Sequence, residues 1–267
     1  MNTTSPRALA SAALFIAGFA QPAMAADQAE LAKAALNPIA ALISLPIQLN
    51  YDDNLGPTDT GEKWQLNVQP VIPFSLNADW NLISRTIVPL IDQDGLGAAD
   101  ASGVGDIVQS LFFSPKAPTA GGWIWGAGPV LLLPTASDDA LGGEKWGLGP
   151  TAVLLRQAHG WTYGALANHI WSVAGEDDRS DISATFLQPF LSYTTKTFTT
   201  FGVNTESTYD WKNEQWSVPL NFTVTQMLKV GQQPITLQAG ARYWAESPDG
   251  GPEGWGYRLA LTFLFPK

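Results

Sequence analysis

Five charged residues stand inside stretches that otherwise alternate between large apolar and small or polar side chains: Arg85, Asp106, Glu206, Arg242 and Arg258. Between Ile235 and Ala245, for example, Ile235, Leu237, Ala239, Ala241 and Tyr243 take one face, while Thr236, Gln238, Gly240 and Arg242 take the other. A period of two belongs to a strand with two unlike faces, so these charges are expected on polar faces. Three arginines and two acids so placed support two kinds of chemistry. They can line a narrow passage and select solutes by charge, or they can neutralise one another and fill the space between them.

Other reactive residues are sparse. His169 and Ser172 share a segment at a spacing of three, which puts them on opposite faces of a regular strand, so a Ser–His pair needs a bulge there. His159 sits in the turn Ala158-His159-Gly160. Cysteine is absent and the two histidines are not at ligand spacing, so neither a metal nor another cofactor is expected. Gly121-Gly122 and Gly142-Gly143 read as turns rather than as a phosphate loop. An enzyme is therefore not expected. Asp138-Asp139 and Glu176-Asp177-Asp178 are the densest places for divalent cations bridging lipopolysaccharide phosphates, but their spacing is not that of a calcium loop and they read as solvated tips.

The elements that must position the five charges are strands. Alternation, with breaks at Gly, Pro, Asn and Asp, divides the chain into about twelve segments. They lie near 45–52, 63–74, 80–90, 105–114, 123–134, 146–157, 161–173, 182–194, 197–209, 216–228, 235–245 and 255–265. The last alternates strictly, with Trp255, Tyr257, Leu259, Leu261, Phe263 and Phe265 opposing Gly256, Arg258, Ala260 and Thr262. A chain that closes on such a ladder fits a bacterial outer-membrane barrel, whose final strand shows its apolar face to lipid.

Connections alternate in kind as well. Long acidic stretches follow odd-numbered segments and collect most of the 24 acidic residues: Asp52, Asp53, Asp59 and Glu62 in the first, and Glu176, Asp177, Asp178 and Asp181 in the fourth. Short turns such as Asn77-Ala78-Asp79 and Thr195-Lys196 follow even-numbered ones. If the segments run up and down, all acidic connections lie at one end, outside the cell, and both termini at the other, in the periplasm. Of the 11 tryptophans, Trp64, Trp80, Trp123, Trp146, Trp161, Trp216 and Trp255 fall at segment starts, where interfacial girdles are expected. The alternative is a secreted sandwich, propeller or sugar-binding module whose tryptophans pack or stack.

Arg7, the apolar run Ala8 to Ala20 and Ala23-Met24-Ala25 form a Sec-type signal peptide over 1–25, cut near Ala25. Residues 26–44 have helical composition, with Leu31, Ala34, Ala35 and Leu36 as an apolar stripe; this segment is a plug in the lumen, a helix on the periplasmic surface, or a loose arm. Residues 45–267 form the barrel. Charged residues make up 14% and mean hydropathy is +0.01, between a soluble and a helical membrane protein, and the net charge of −10 excludes nucleic acid as a partner. The fold expected is thus all-β, a transmembrane antiparallel up-and-down barrel of about twelve strands with a short N-terminal helix or arm. Its partners would be outer-membrane lipid and lipopolysaccharide, the barrel assembly machinery and a small-molecule solute.

The strings NPIAALISLPIQLNYDDNLGP (Asn37 to Pro57), QPVIPFSLNADWNLISRTIVPL (Gln69 to Leu90), GAGPVLLLPTASDDALG (Gly126 to Gly142), NHIWSVAG (Asn168 to Gly175) and LTFLFPK (Leu261 to Lys267) resemble a family of small bacterial outer-membrane β-barrels. Its members are described as transporters, or as similar to the outer-membrane proteins of phenol meta-cleavage pathways, and are sometimes mislabelled neuromedin-U-like. The resemblance covers nearly the whole mature chain. It implies an outer-membrane channel or transporter for small molecules, with hydrophobic or aromatic compounds as candidates. A non-conducting structural or adhesive barrel, and a lipid-modifying barrel enzyme, are the alternatives.

Overall fold

A computed structural model describes residues 22–266. The expected signal peptide falls almost wholly outside the described residues. A helix, α1 (Pro22–Ala35), leads into twelve strands: β1 (Ile43–Leu55), β2 (Gly61–Val68 and Val71–Ser75), β3 (Trp80–Asp94), β4 (Ala101–Val104 and Ile107–Pro115), β5 (Trp123–Leu133), β6 (Lys145–Ala158), β7 (Trp161–Gly175), β8 (Ser183–Thr194), β9 (Thr199–Thr205 and Ser207–Asp210), β10 (Gln215–Val230), β11 (Gln233–Glu246) and β12 (Gly254–Phe265). Each pairs antiparallel with its neighbours in sequence. β12 returns to β1, from Ile43 opposite Phe265 to Tyr51 opposite Tyr257, and the sheet closes into a twelve-stranded barrel. Closure leaves no strand edge unpaired, which is what allows a sheet to stand in lipid.

Two of the three strand interruptions have a visible cause in proline, which has no N–H for the ladder. β2 breaks at Gln69-Pro70. β9 breaks at Glu206, which the flanking register sets against Pro219 of β10, and β10 itself shifts register between Val218 and Pro219. The break in β9 turns out to matter, because Glu206 carries charge into the interior.

The connections sort as their composition demands. His159 and Gly160 form a two-residue turn with φ of 53° and 82°, the paired positive values of a type I′ hairpin. Asn77 Oδ1 accepts from the backbone N–H groups of Asp79 and Trp80, an Asx-turn that folds the β2–β3 connection. These turns, with those after β4, β8 and β10, share the end that holds both α1 and the end of β12. The acidic connections share the other. Glu62, Asp92 and Asp94 lie within β2 and β3, so the strands there run on into the acidic rim.

Outward faces are apolar and open: Tyr257 is 62% and Leu259 57% exposed. Aromatic contacts ring both ends of the outer surface. Trp80 meets Trp125 edge-on, Trp123 meets Tyr163, and Trp161 lies against Tyr193 at the short-turn end. Tyr51, Trp64 and Tyr257, and Tyr209 with Trp211 and Trp216, mark the acidic end. Two belts separated by an aliphatic band are the expected surface of a barrel that spans a bilayer.

The interior is divided. On the β2 to β8 side Val71, Ile83, Phe112, Val153, Leu155 and Leu166 turn inward and pack as a buried cluster with Ile39, from the segment after α1. At the short-turn end Ala32 of α1, with Ala40 and Leu42, packs on Met227 and Leu264. Gln157 Nε2 donates to Lys33 O at 2.8 Å and ties the helix to the wall. Thus α1 caps the short-turn mouth and delivers Ile39 into the barrel. The opposite wall, β9 to β12 with β1, is polar.

Candidate functional site

Polar alternation along β1 points Gln48, Asn50 and Asp52 inward, and that of β11 and β12 points Arg242 and Arg258 inward beside them, since Asn50 pairs with Arg258 across the β1–β12 seam. The result is a compact charged band. Arg258 grips Glu206 with two bonds, Nη1 to Oε1 at 3.0 Å and Nη2 to Oε2 at 2.6 Å, and its Nε donates to Asn50 Oδ1 at 2.7 Å. Arg242 Nη1 donates to Asp52 Oδ2 at 3.0 Å, Trp244 Nε1 donates to Asp52 Oδ1 at 2.8 Å, and the guanidinium lies 4.6 Å from the centroid of the Trp244 ring. Charges facing lipid at mid-depth would cost roughly 2–4 kcal/mol for each basic residue, so alternation and lipid together force them into the lumen. Planar guanidinium forks then fix both acids at defined orientations.

Arg85, on β3, also faces inward but is differently placed. Its Nη2 donates to the neutral Gln69 Oε1 at 2.9 Å, and among the described residues it forms no ion pair. Lys63, the cross-strand partner of Asp52, likewise carries its charge into the lumen without an ion pair among those residues. Below the band, Thr200, Thr225, Thr236, Gln48, Gln69 and Gln238 line a cavity of about 200 Å³. A neighbouring cavity of about 230 Å³ shares Leu36, Thr200, Thr225 and Gln238 with it and ends at Arg85, Gln188 and Phe190.

Of the five residues singled out by sequence, Arg85, Glu206, Arg242 and Arg258 thus come together in the lumen. Asp106 does not join them. It sits in the break of β4, where Oδ1 accepts from Thr135 N and Ala136 N, both at 3.1 Å, and Oδ2 from Gly143 N at 2.7 Å. That carboxylate binds the β5–β6 connection. Arg179 completes the clamp from the next connection with an ion pair to Glu144 at 3.2 Å and a bond to Asp139 O at 2.8 Å.

Asp52, which closes the polar face of the first segment after Gln48 and Asn50 and also counts among the acids of the first connection, belongs to the lumen wall, because β1 runs on past it and the alternation holds as far as Asp52. Gln69 and Gln188 were missed for want of contrast, since polar residues on a polar face look alike until the pairing is known, and Lys63 was hidden as the first residue of its segment. His169 faces outward, where Nδ1 lies 2.7 Å from Thr185 Oγ1, and Ser172 Oγ instead meets Asp181 Oδ1 at 3.1 Å. Among the described residues no cluster of three metal-ligating side chains occurs, and no helix is long and apolar enough to cross a membrane.

The fold defined by this geometry is that of the outer-membrane β-barrels. It is similar to an outer membrane channel from Pseudomonas putida F1, with a TM-score of 0.66 and 16% identity over 84% of this chain and 96% of that one. It is also similar to the NanC porin, with a TM-score of 0.53 and 10% identity over 83% of this chain and 98% of the porin. No protein-family model and no curated protein matches the sequence.

Proposed function

We propose that the protein is an outer-membrane channel for small molecules, with the acidic connections outside the cell and α1 at the periplasmic mouth. The observation that carries this reading is a pair of adjoining cavities beside α1, which share Leu36, Thr200, Thr225 and Gln238 along the threonine- and glutamine-rich wall, one of them reaching Arg85 and Gln188. A barrel that served only as a scaffold gains nothing from leaving one wall of its interior polar and unfilled. The two structural neighbours named as a channel and a porin support the reading by fold. The family resemblance adds hydrophobic or aromatic solutes as candidates. Ion conductance of the purified, folded barrel in a planar bilayer tests it: discrete current steps are expected, and silence from correctly folded protein refutes it.

A second reading, a non-conducting structural barrel, draws on a different observation. The apolar cluster around Ile39 and Phe112 packs into one side of the interior, and Arg258 and Arg242 are each bound to an acid. The same measurement separates the two. Outer-membrane lipid, lipopolysaccharide and the assembly machinery enter as the partners that any such barrel requires.

A further inference from the structure

We propose that Arg85 is the anchor of a binding site for a small monocarboxylate with an apolar body, a reading that rests on the channel function and names its substrate class. Three observations combine. First, the guanidinium of Arg85 borders the cavity of about 230 Å³, and its hydrogen-bond partner among the described residues is the neutral Gln69. A guanidinium presents five N–H groups in a rigid fork that matches a carboxylate. Second, Glu206, the acid whose charge faces Arg85 across the lumen, is gripped by Arg258 through two bonds and forms no ion pair with Arg85 among the described residues. Third, the cavity that Arg85 borders carries an apolar and aromatic side beside its threonines and glutamines: Phe190, which also packs on the buried cluster, with Leu36 and Pro38 from the segment after α1.

An inorganic anion would satisfy the fork but leave these apolar walls facing water. A neutral ring would cover the walls but leave the fork empty. A carboxylate on one ring or a short chain satisfies both. The cavity is smaller than the roughly 300–1,000 Å³ of pockets for drug-sized ligands, which limits the occupant to about a single ring. The carboxyl end of α1 offers little opposition to an anion, because Lys33 O already accepts from Leu36 N and Gln157 Nε2, and Ala34 O from Asn37 N. Gln188, which donates to Glu206 Oε1 at 3.4 Å, also lines the cavity and offers a further amide beside Arg85. A channel must release what it binds, so weak, roughly millimolar occupancy is expected.

Benzoate, benzamide, benzylammonium and inorganic phosphate are the probes, applied to the full mature barrel in a planar bilayer and, separately, to the detergent-solubilised protein by ligand-observed NMR. Benzoate should reduce the mean current and show saturable binding at millimolar concentration, while the other three should be at least tenfold weaker. R85Q should lose this preference, with its fold checked by heat-modifiable migration; should R85Q not fold, R85K and the comparison of the four probes on the wild type still decide. Equal effects of benzoate and benzamide, equal effects of benzoate and phosphate, or an unchanged preference in folded R85Q each overturn the site. If the barrel carries no current yet binds benzoate through Arg85, the channel reading fails and the site stands. If it conducts and benzoate neither binds nor blocks, the site fails and the channel stands.

Discussion

Glu206→Gln is the most incisive single change, because it removes one charge while keeping shape and one acceptor. Arg258 is 3% exposed and spends two of its donors on Glu206 and a third on Asn50. Glutamine can accept one of the two bonds, so at least one charge-assisted bond of about 1.5–3 kcal/mol is lost. Removing one partner of a buried pair outright costs about 3–5 kcal/mol, but the Glu206 side chain is 22% exposed, which places the expected loss near the lower bound. For a chain of this length a loss of ~3 kcal/mol lowers the unfolding midpoint by roughly 6–12 °C. The assay is the temperature at which the compact band in unboiled gel samples converts to the unfolded one. The double variant Glu206→Gln with Arg258→Met, which removes both charges, should recover much of the loss. A Glu206→Gln midpoint equal to wild type would falsify the claim that this pair holds the lumen together.

Four further outcomes are expected. Phe263→Asp with Phe265→Asp puts two charges on the lipid face of the closing strand and should abolish folded protein in outer-membrane fractions; normal amounts of heat-modifiable protein there would contradict the assignment of that face. Asp139→Cys and Asp178→Cys should react with an impermeant maleimide on intact cells, whereas Lys196→Cys should not; labelling at Lys196 alone inverts the topology. Asp106→Ala removes three backbone partners of the β5–β6 connection and should speed proteolysis between 135 and 143 several-fold, with cleavage at the wild-type rate counting against the clamp. Arg242→Glu sets a second carboxylate against Asp52 and should shift permeability towards cations while lowering the unfolding midpoint; no change in either would mean that Arg242 is not in the lumen.

The barrel was legible because two independent periodicities agreed. Alternation of two within segments such as Ile235 to Ala245 fixed the faces, and alternation of long acidic with short connections fixed the direction of travel, so twelve segments correspond one for one with twelve strands. Segment ends were less legible, with chemical consequences. Asp52 looks like the start of an acidic connection, yet pairing of Asp52 with Lys63 and the grip of Arg242 keep it in the wall. Asp106 looks like a strand residue, yet Gly105-Asp106 is where β4 breaks and the carboxylate turns to the adjacent connection. The apolar half of the interior left no trace in the period of two. On β3 and β6, Ile83, Val153 and Leu155 turn inward while Leu82, Ala152 and Leu154 turn outward, and a strand apolar on both faces does not alternate.

That division decides where selectivity can reside. On the channel reading proposed above, the cluster around Ile39, Ile83, Phe112, Val153, Leu155 and Leu166 occupies one side of the interior, so a solute is expected to pass along the polar wall of β9 to β12 and β1, in front of Arg85 and the two ion pairs. Along that wall Glu206 and Asp52 are neutralised by Arg258 and Arg242, which leaves Arg85 and Lys63 as charges without an ion-pair partner among the described residues. The lumen wall is therefore cationic inside a protein whose net charge is −10. The two signs act at different ranges. Acids on the connections lie in water, where the Debye length is about 8 Å at physiological ionic strength, so their repulsion of an approaching anion fades as salt rises. The lumen charges are held in a narrow interior and are screened much less. Raising salt should then relieve the barrier at the mouth sooner than it weakens the attraction within, so any preference for anions is expected to strengthen from low to moderate salt before it declines.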